Sequence, residues 1–369
     1  MSVGQKACER VVKRIRVKPT GERKYTPSVS VVIACYNYAR YLRAAVQSCL
    51  SQQDVTVEVI IVDDASTDDS LALAESLSRE HGNVSLVRHS TNTGPVDAFN
   101  DGARMATGEF LVRLDADDML TPGSLGRATL IAQSFPSVGL VYGHPLHFPE
   151  MPLPIPRLQA RAWTVWPGLL WLTDRCRSGK NVITSPEVLM RRSLLEEVGY
   201  LSPLAHSHDM ELWLRLAAFS DVAYIHGADQ AWHRDHSESL SARCVDELLD
   251  FRERRAAFEV LFSGPAAGRP AASALQRQAY RTLALEALGH ARRELARWPD
   301  KSARRRIWLE LAEATDEEIT HSAQWARLHQ APRLESLPAP LRLSSFAFRV
   351  RGRIKSELEW LRWHRTGVY

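Results

Sequence analysis

The first 120 residues alternate between short apolar runs and stretches whose apolar positions recur at helical spacing. Residues 28–37 (SVSVVIACYN) make a β-branched run that ends in a polar turn. From about Ala39 to Gln52, Leu42, Ala45, Val46, Cys49 and Leu50 fall on one helical face. A second run, 57–66 (VEVIIVDDAS), ends in the acids Asp63 and Asp64, and Ser66 or Asp68 is placed to cap a helix over 70–81. A third short strand is expected at 84–90, and Thr93, Gly94 and Pro95 break it before a helix of small residues over 96–105. Thr107 and Gly108 then turn the chain into an apolar run at 110–114, which Thr121, Pro122 and Gly123 close off. Strands alternating with helices in this way predict an α/β domain around a mostly parallel sheet.

The strand exits carry the chemistry. Ligands of open parallel sheets bind beyond the carboxyl ends of the strands, at a switch in strand order. Tyr36, Asn37, Asp63, Asp64, Asp115, Asp117 and Asp118 all stand at such ends. Period-two alternation lets Asp115 and Asp117 point the same way, where two carboxylates repel unless a cation or donor lies between them. Hard divalent cations are held by such carboxylates together with substrate phosphates. The plainer alternative is a solvated acidic turn, with Asp118 as the N-cap of the next helix. Neither GxGxxG after the first strand nor GxxxxGK[ST] anywhere is present, so a bound diphosphate needs a metal to carry much of its charge.

Composition adds class and compartment. The chain has 369 residues, 45% hydrophobic and 24% charged, which fits a globular protein with one large or two ordinary domains. No apolar run reaches the ~18–20 residues of a membrane span, and the N-terminus lacks the apolar core of a secretory signal. Five scattered cysteines without CxxC spacing predict free thiols in a reducing cytoplasm rather than a structural zinc. Charge is segregated. Residues 1–27 carry eight Lys/Arg against two Asp/Glu, residues 28–245 carry 17 against 25, and residues 246–369 carry 22 against 16. An acidic middle between basic ends suits a cation-using catalytic domain, whose flanks either meet an anionic surface or keep the helices solvated.

Three further stretches are less specific. Residues 1–27 read as a basic arm with room for a short helix. Residues 142–180 are rich in Pro and Trp, and Pro145, Pro149, Pro152, Pro154 and Pro156 predict an extended, irregular loop. There Trp163, Trp166 and Trp171 either stack on a sugar face or anchor a helix at 167–176. Beyond Val245, helical periodicity is expected over 246–263, 270–298, 300–313 and 316–330, followed by a Pro-marked linker. The tail, 346–369, is a basic amphipathic stretch with Trp that either lies in a membrane interface or packs on protein. The same helices offer a surface for a homo-oligomer.

Taken in order, SVSVVIACYNYARYLRAAVQSCLSQ, VEVIIVDDASTDDS and TGEFLVRLDADDML resemble the family 2 glycosyltransferases of GT-A fold. The resemblance continues through NVITSPEVLMRRSLLEEVGYLSP (181–203), HDMELWLRLAAFSDVAYI (208–225) and WHRDHSESLS (232–241). It implies an α/β, Rossmann-like GT-A domain over 28–245, between a basic arm at 1–27 and a helical extension at 246–369. It also implies roles. Tyr36 resembles the residue that packs on the nucleotide base and Asp64 the acid that hydrogen-bonds it, with Ala34 and Asn37 beside them. Asp115 resembles the carboxylate near ribose and sugar, and Asp117 the acid that coordinates Mn²⁺ or Mg²⁺ on the diphosphate. Asp118 is a further acid of that group. Asp209 matches the catalytic base, with Glu211 as competitor, and His208 stands where the family more often has Glu. His236 matches a histidine near the metal, with His233 and Arg234 as alternatives, Arg234 as a phosphate clamp. Ser237–Ser241 resemble a loop that closes over the donor.

The activity so implied is inverting, metal-dependent transfer of a sugar from a nucleotide-diphosphate donor, most simply a UDP-sugar. The acceptor would be a hydroxyl of a saccharide, lipid-linked or protein substrate in glycan, polysaccharide or glycoconjugate biosynthesis. The QxxRW signature of processive, membrane-embedded members is absent, which predicts a soluble cytoplasmic or peripheral enzyme making few transfers. No nucleic-acid partner is expected. Two rival classes remain at this level: a nucleotidyltransferase, for which CYNYAR supplies no convincing basic loop, and a nucleotide-sugar-binding scaffold without catalysis.

Overall fold

The computed structural model describes residues 12–149, 151–236, 246–269, 271–297 and 302–330, together with Ile354, Glu357, Leu358 and Leu361. The loop expected at Ser237–Ser241, the linker at Pro332, Pro338 and Pro340, and nearly all of the 346–369 tail lie outside those residues. The chain forms two compact units, one of residues 1–172 and 182–253, the other of residues 173–181 and 254–369.

The first unit is built on a ten-stranded mixed sheet. In chain order its elements are β1 (Ile15–Val17), β2 (Ser28–Cys35), α1 (Ala39–Leu50), β3 (Thr56–Asp63), α2 (Ser70–Glu80), β4 (Val84–Arg88), α3 (Pro95–Met105), β5 (Phe110–Asp115), β6 (Met119–Leu120) and α4 (Ser124–Ser134). There follow β7 (Val138–Phe148), β8 (Ala162–Trp166), α5 (Gly168–Ser178), β9 (Val188–Arg191), α6 (Arg192–Val198), α7 (His208–Phe219) and β10 (Asp221–Arg234). The strand order is β1-β8-β10-β7-β9-β5-β2-β3-β4, with β6 paired to β10. The fold is the α/β GT-A class that the resemblance implies.

β2 lies between β3 and β5 and is parallel to both, with Ala34 opposite Val62 on one side and Asp115 on the other. Val29, Val31, Val32 and Ile33 are all fully buried, as a central parallel strand covered on both faces requires. α1 lays Leu42, Ala45, Val46 and Cys49 into the same core, so its predicted apolar face is the buried one. The chain runs β2, β3, β4 outward, then crosses back to place β5 on the other side of β2. That reversal is the switch point, and it opens a crevice between the ends of β2 and β5. Gly108, just before β5, passes so close to β2 that a Cβ there would lie 2.6 Å from Ser30 N. Only glycine lets the crossover return at that distance.

Two expectations are corrected and one open alternative is decided. The basic arm holds no helix among its described residues; instead Ile15–Val17 form a strand antiparallel to Trp163–Val165. Residues 142–148 are not loop but the end of β7, parallel to β10. Pro145 is accommodated because the β10 register slips between Asp229 and Ala231 opposite it, the irregularity that a residue without an N–H calls for. Trp163, Trp166 and Trp171 are core anchors rather than sugar platforms, all at most 3% exposed.

The second unit is helical. Its described elements include the C-terminal part of α8 (Glu247–Ser263), then α9 (Ala272–Arg297), α10 (Ser302–Thr315), a 3₁₀ turn (Glu317–His321) and α11 (Ala323–Gln330). Trp308 of α10 is fully buried and stacks on His290 of α9 at 4.1 Å. Arg254 clasps Glu286 at 2.7 Å, and His290 lies 3.7 Å from the same carboxylate. Among the described residues no helix is long and apolar enough to cross a membrane.

Candidate active site

A cavity of about 520 Å³ occupies the crevice beyond β2 and β5. One wall is the β2 exit, Ala34 to Tyr38; another is the acidic turn after β5, with Asp115 and Asp117; His233 and Arg234 from the end of β10 complete it. Asp64, Gly94 and Pro95 line the far side. Eight residues that the sequence singled out therefore meet in one hollow: Ala34, Tyr36, Asn37, Asp64, Asp115, Asp117, His233 and Arg234.

The nucleotide-facing side is rigid because its polar residues hold one another. Asn37 sits at φ 61°, and its Oδ1 accepts from Thr67 N at 2.7 Å, tying the β2 exit to the β3 exit. Asp64 is buried, and its Oδ1 accepts from Thr93 N and faces His89 Nδ1, both at 2.8 Å. Its Oδ2 accepts from Gly94 N at 2.8 Å. Burial pushes the Asp64 carboxyl up, but these donors outweigh it and hold it below the usual carboxylate range. Tyr36 keeps 43% of its surface exposed, an open aromatic face beside that turn.

The acidic turn is short of positive charge. Asp117 is 8% exposed, and burial, then Asp118, then Asp115 push its carboxyl up to about 6. His236 Nε2 lies 2.7 Å from Asp117 Oδ2, while His236 Nδ1 is buried without a hydrogen-bond partner. Asp118 is not the N-cap of α4, a position that Gly123 takes. It is turned to β10 instead: Oδ1 accepts from Arg234 N at 2.8 Å and Oδ2 faces His233 Nδ1 at 3.0 Å. Burial works against charge on His233, but Asp118, then Glu187 and Asp115, lift it to about 10. Arg234 is 8% exposed, its guanidinium lies 4.2 Å over the Tyr41 ring and 4.5 Å over Phe148, and its Nε donates to the Asp117 carbonyl.

At the start of α7, Asp209 Oδ1 accepts from Met210 N at 2.6 Å. Burial raises its carboxyl above the ordinary value, with Arg113 opposing and Asp115 adding to the rise. Asp209 is not among the residues that line the cavity. Its neighbours face elsewhere. Glu211 is fully buried in a two-point ion pair with Arg215 (2.9 and 2.8 Å) and accepts from Ser202 Oγ, so it belongs to the packing of α7. His208 is 3% exposed, its Nδ1 lies 3.3 Å from the Leu204 carbonyl, and burial pushes it down to about 3, which leaves it neutral.

Two buried charged groups escaped sequence reasoning, Arg113 in the cavity lining and Glu187 outside it. Arg113 is 5% exposed, donates to Ser185 Oγ at 2.7 Å and to Asp115 Oδ1 at 2.8 Å, and lines the cavity. Its signal was present: it is the one charge inside an apolar strand, two residues before Asp115 and so on the same face. Glu187, which accepts from Thr184 N at 2.8 Å and is pushed up to about 7 by burial, has no comparable local mark.

Comparison with known proteins follows the same lines. A family model described as glycosyl transferase family 2 matches residues 30–199. An uncharacterized glycosyltransferase of Nostoc sp. is 40% identical over 114 residues, 31% of this chain and 35% of its own length. The succinoglycan biosynthesis protein ExoO of Rhizobium meliloti is 40% identical over 101 residues, 27% of this chain and 28% of its own. An uncharacterized glycosyltransferase of Rickettsia typhi is 25% identical over 256 residues, 66% of this chain and 73% of its own. The chain thus spans about a third of the first of these relatives. Among solved structures, S. aureus TarS 1–349 in complex with UDP-GlcNAc superposes with a TM-score of 0.58 at 15% identity, over 86% of this chain and 89% of that one, a likeness of fold.

Proposed function

We propose, from the match of residues 30–199 to the glycosyl transferase family 2 model, that this chain transfers a sugar from a nucleotide-diphosphate donor to a hydroxyl acceptor by single displacement. The observation that carries this reading is the joint placement of Tyr36, Asp64, Asp115 and Asp117 around one cavity at the switch point.

Each residue has a part that its surroundings permit. Tyr36 offers its open face to a base. Asp64 Oδ2 takes one donor from Gly94, and a carboxylate oxygen has two lone pairs, so a uracil N–H can take the second. This is why a UDP-sugar is the preferred donor. Asp115, steadied by Arg113, faces the sugar side. The residues present fit a divalent cation: Asp117 and His236 bring a carboxylate and an imidazole together at 2.7 Å, and the raised Asp117 carboxyl reports an uncompensated negative cluster. Asp117 and His236 would hold Mn²⁺ or Mg²⁺, which when bound neutralises charge on the leaving diphosphate. Arg234, held flat between Tyr41 and Phe148, adds a fixed positive charge to the same end.

Asp209 takes the acceptor proton. A carboxylate raised by burial is a stronger base than one in water, and the Arg113 charge opposes that rise. Displacement from the face opposite the leaving diphosphate inverts the anomeric carbon. Thermal shift with UDP and UDP-sugars, with and without Mn²⁺, tests the donor site. Mn²⁺-dependent stabilisation by UDP is expected in the wild type and its loss in Asp117→Ala; no shift with any nucleotide refutes the reading. NMR of the first product then reads the anomer, and retention rules out single displacement.

A further inference from the structure

We propose that His147, His233 and Asp235 form a second cation site, separate from Asp117 and His236, for a transition-metal ion that takes imidazole nitrogen, Zn²⁺ in class. The sheet assembles it. β7 and β10 run parallel, and His147 stands in register with His233. Asp235 follows His233 by two residues, so it returns to the same face. Its N–H donates to the Phe148 carbonyl at 2.9 Å, which carries the pairing past the formal end of β10.

The side chains converge as that backbone dictates. His147 Nδ1 lies 3.1 Å from Asp235 Oδ1, and the two imidazole rings meet edge to face at 4.9 Å. One ligand atom from each residue lies within 4.8 Å of the other two. Ligands ~2.0–2.2 Å from one ion lie roughly 3.5 Å apart, so small side-chain rotations close the set. His147 and Asp235, with side chains 37% and 54% exposed, have room for them and leave a path for the ion.

His233 is already oriented as a ligand. Its Nδ1 faces Asp118 Oδ2 at 3.0 Å, and Asp118 is itself fixed by the Arg234 N–H. A carboxylate behind one ring nitrogen sets the tautomer and presents the other, Nε2, to a metal. Two imidazoles with one carboxylate select Zn²⁺-class ions over Mg²⁺ or Ca²⁺, which prefer oxygen alone. Such an ion ties the ends of β7 and β10 together where His233 borders the cavity.

The proposal does not depend on glycosyl transfer, and its test is spectroscopic. The full chain, stripped of metal with EDTA and dialysed, is titrated with Co²⁺ while the visible absorption of low-coordinate Co²⁺ is followed. The same titration is made on His147→Gln, Asp235→Asn and the double variant Asp117→Asn/His236→Gln. One equivalent with a visible band is expected in the double variant as in the wild type, displaced by Zn²⁺. Its affinity should fall at least about tenfold in His147→Gln and in Asp235→Asn, since loss of even an outer partner costs ~10–100-fold. Both altered side chains are partly exposed, and melting in EDTA checks that the folds match. A band lost in the double variant, a band unchanged in His147→Gln, or no band at all overturns the site.

Discussion

Asp117→Asn should stabilise the metal-free protein while abolishing its response to metal. Asp117 is a buried carboxylate pushed from 3.8 to about 6 by burial, Asp118 and Asp115. Between those values the folded state holds a proton that the unfolded state has released, so folding stability declines as pH rises from about 4 through 6 and stays at the lower level above. A shift of about two units at ~1.4 kcal/mol each makes the ionised Asp117 cost about 3 kcal/mol at pH 7. Asparagine keeps the shape and carries no charge. In EDTA at pH 7 the variant should therefore melt several degrees higher, given roughly 2–4 °C per kcal/mol for a domain of this size. It should also lack the decline between pH 4 and 6. With Mn²⁺ and UDP at ~1,000 times Kd the order should reverse, because such a ligand adds about 4.1 kcal/mol to the wild type alone. Differential scanning fluorimetry across pH 4–8 reads all of this. A variant that melts lower than wild type in EDTA at pH 7, or a wild type whose stability is flat across that range, refutes the reasoning.

Asp209→Asn should cut kcat by about 10²–10⁴-fold, the ordinary value of a general base, while leaving the UDP thermal shift intact; activity within tenfold of wild type excludes Asp209 as the base. In the helical unit, burial pushes the Glu286 carboxyl up, but His290 and Arg254 outweigh it and hold it down to about 2. Its folded value lies below the unfolded one, so its contribution is present above pH ~4.5 and is lost as pH falls through ~2. Glu286→Gln should thus destabilise at pH 7 and lose its effect near pH 2, as urea unfolding at the two pH values will show. Leu42→Ala empties a fully buried position of α1 and should cost about 2–5 kcal/mol by the same measurement, with no change in metal dependence.

Much of the first unit could be read from local pattern. The runs at β2, β3 and β5 are β-branched and end in polar or acidic residues, and a strand's own side chains decide its period and its exits. Hence Tyr36, Asn37, Asp64, Asp115 and Asp117 were legible as strand-end residues, and the structure gathers them round one cavity. Local pattern misjudged 142–148, because five prolines outweighed an apolar strand that survives by slipping its register against β10. It also left Glu211 standing as a competitor to Asp209, since two acids in one helical turn look alike until Arg215 and Ser202 are seen to hold one of them.

What the chain determined by itself was the alternation of strands and helices and the acidity of the strand exits, since both depend on neighbours a few residues away. Strand order decided the rest. Asp118 meets His233 and Arg234 across more than a hundred residues, and His147 comes into register with His233, because β10 is inserted between β7 and β8, while Arg113 reaches Ser185 because β9 lies beside β5. Partners so far apart in sequence are chosen by the free energy of packing the whole sheet, and no local spacing encodes them.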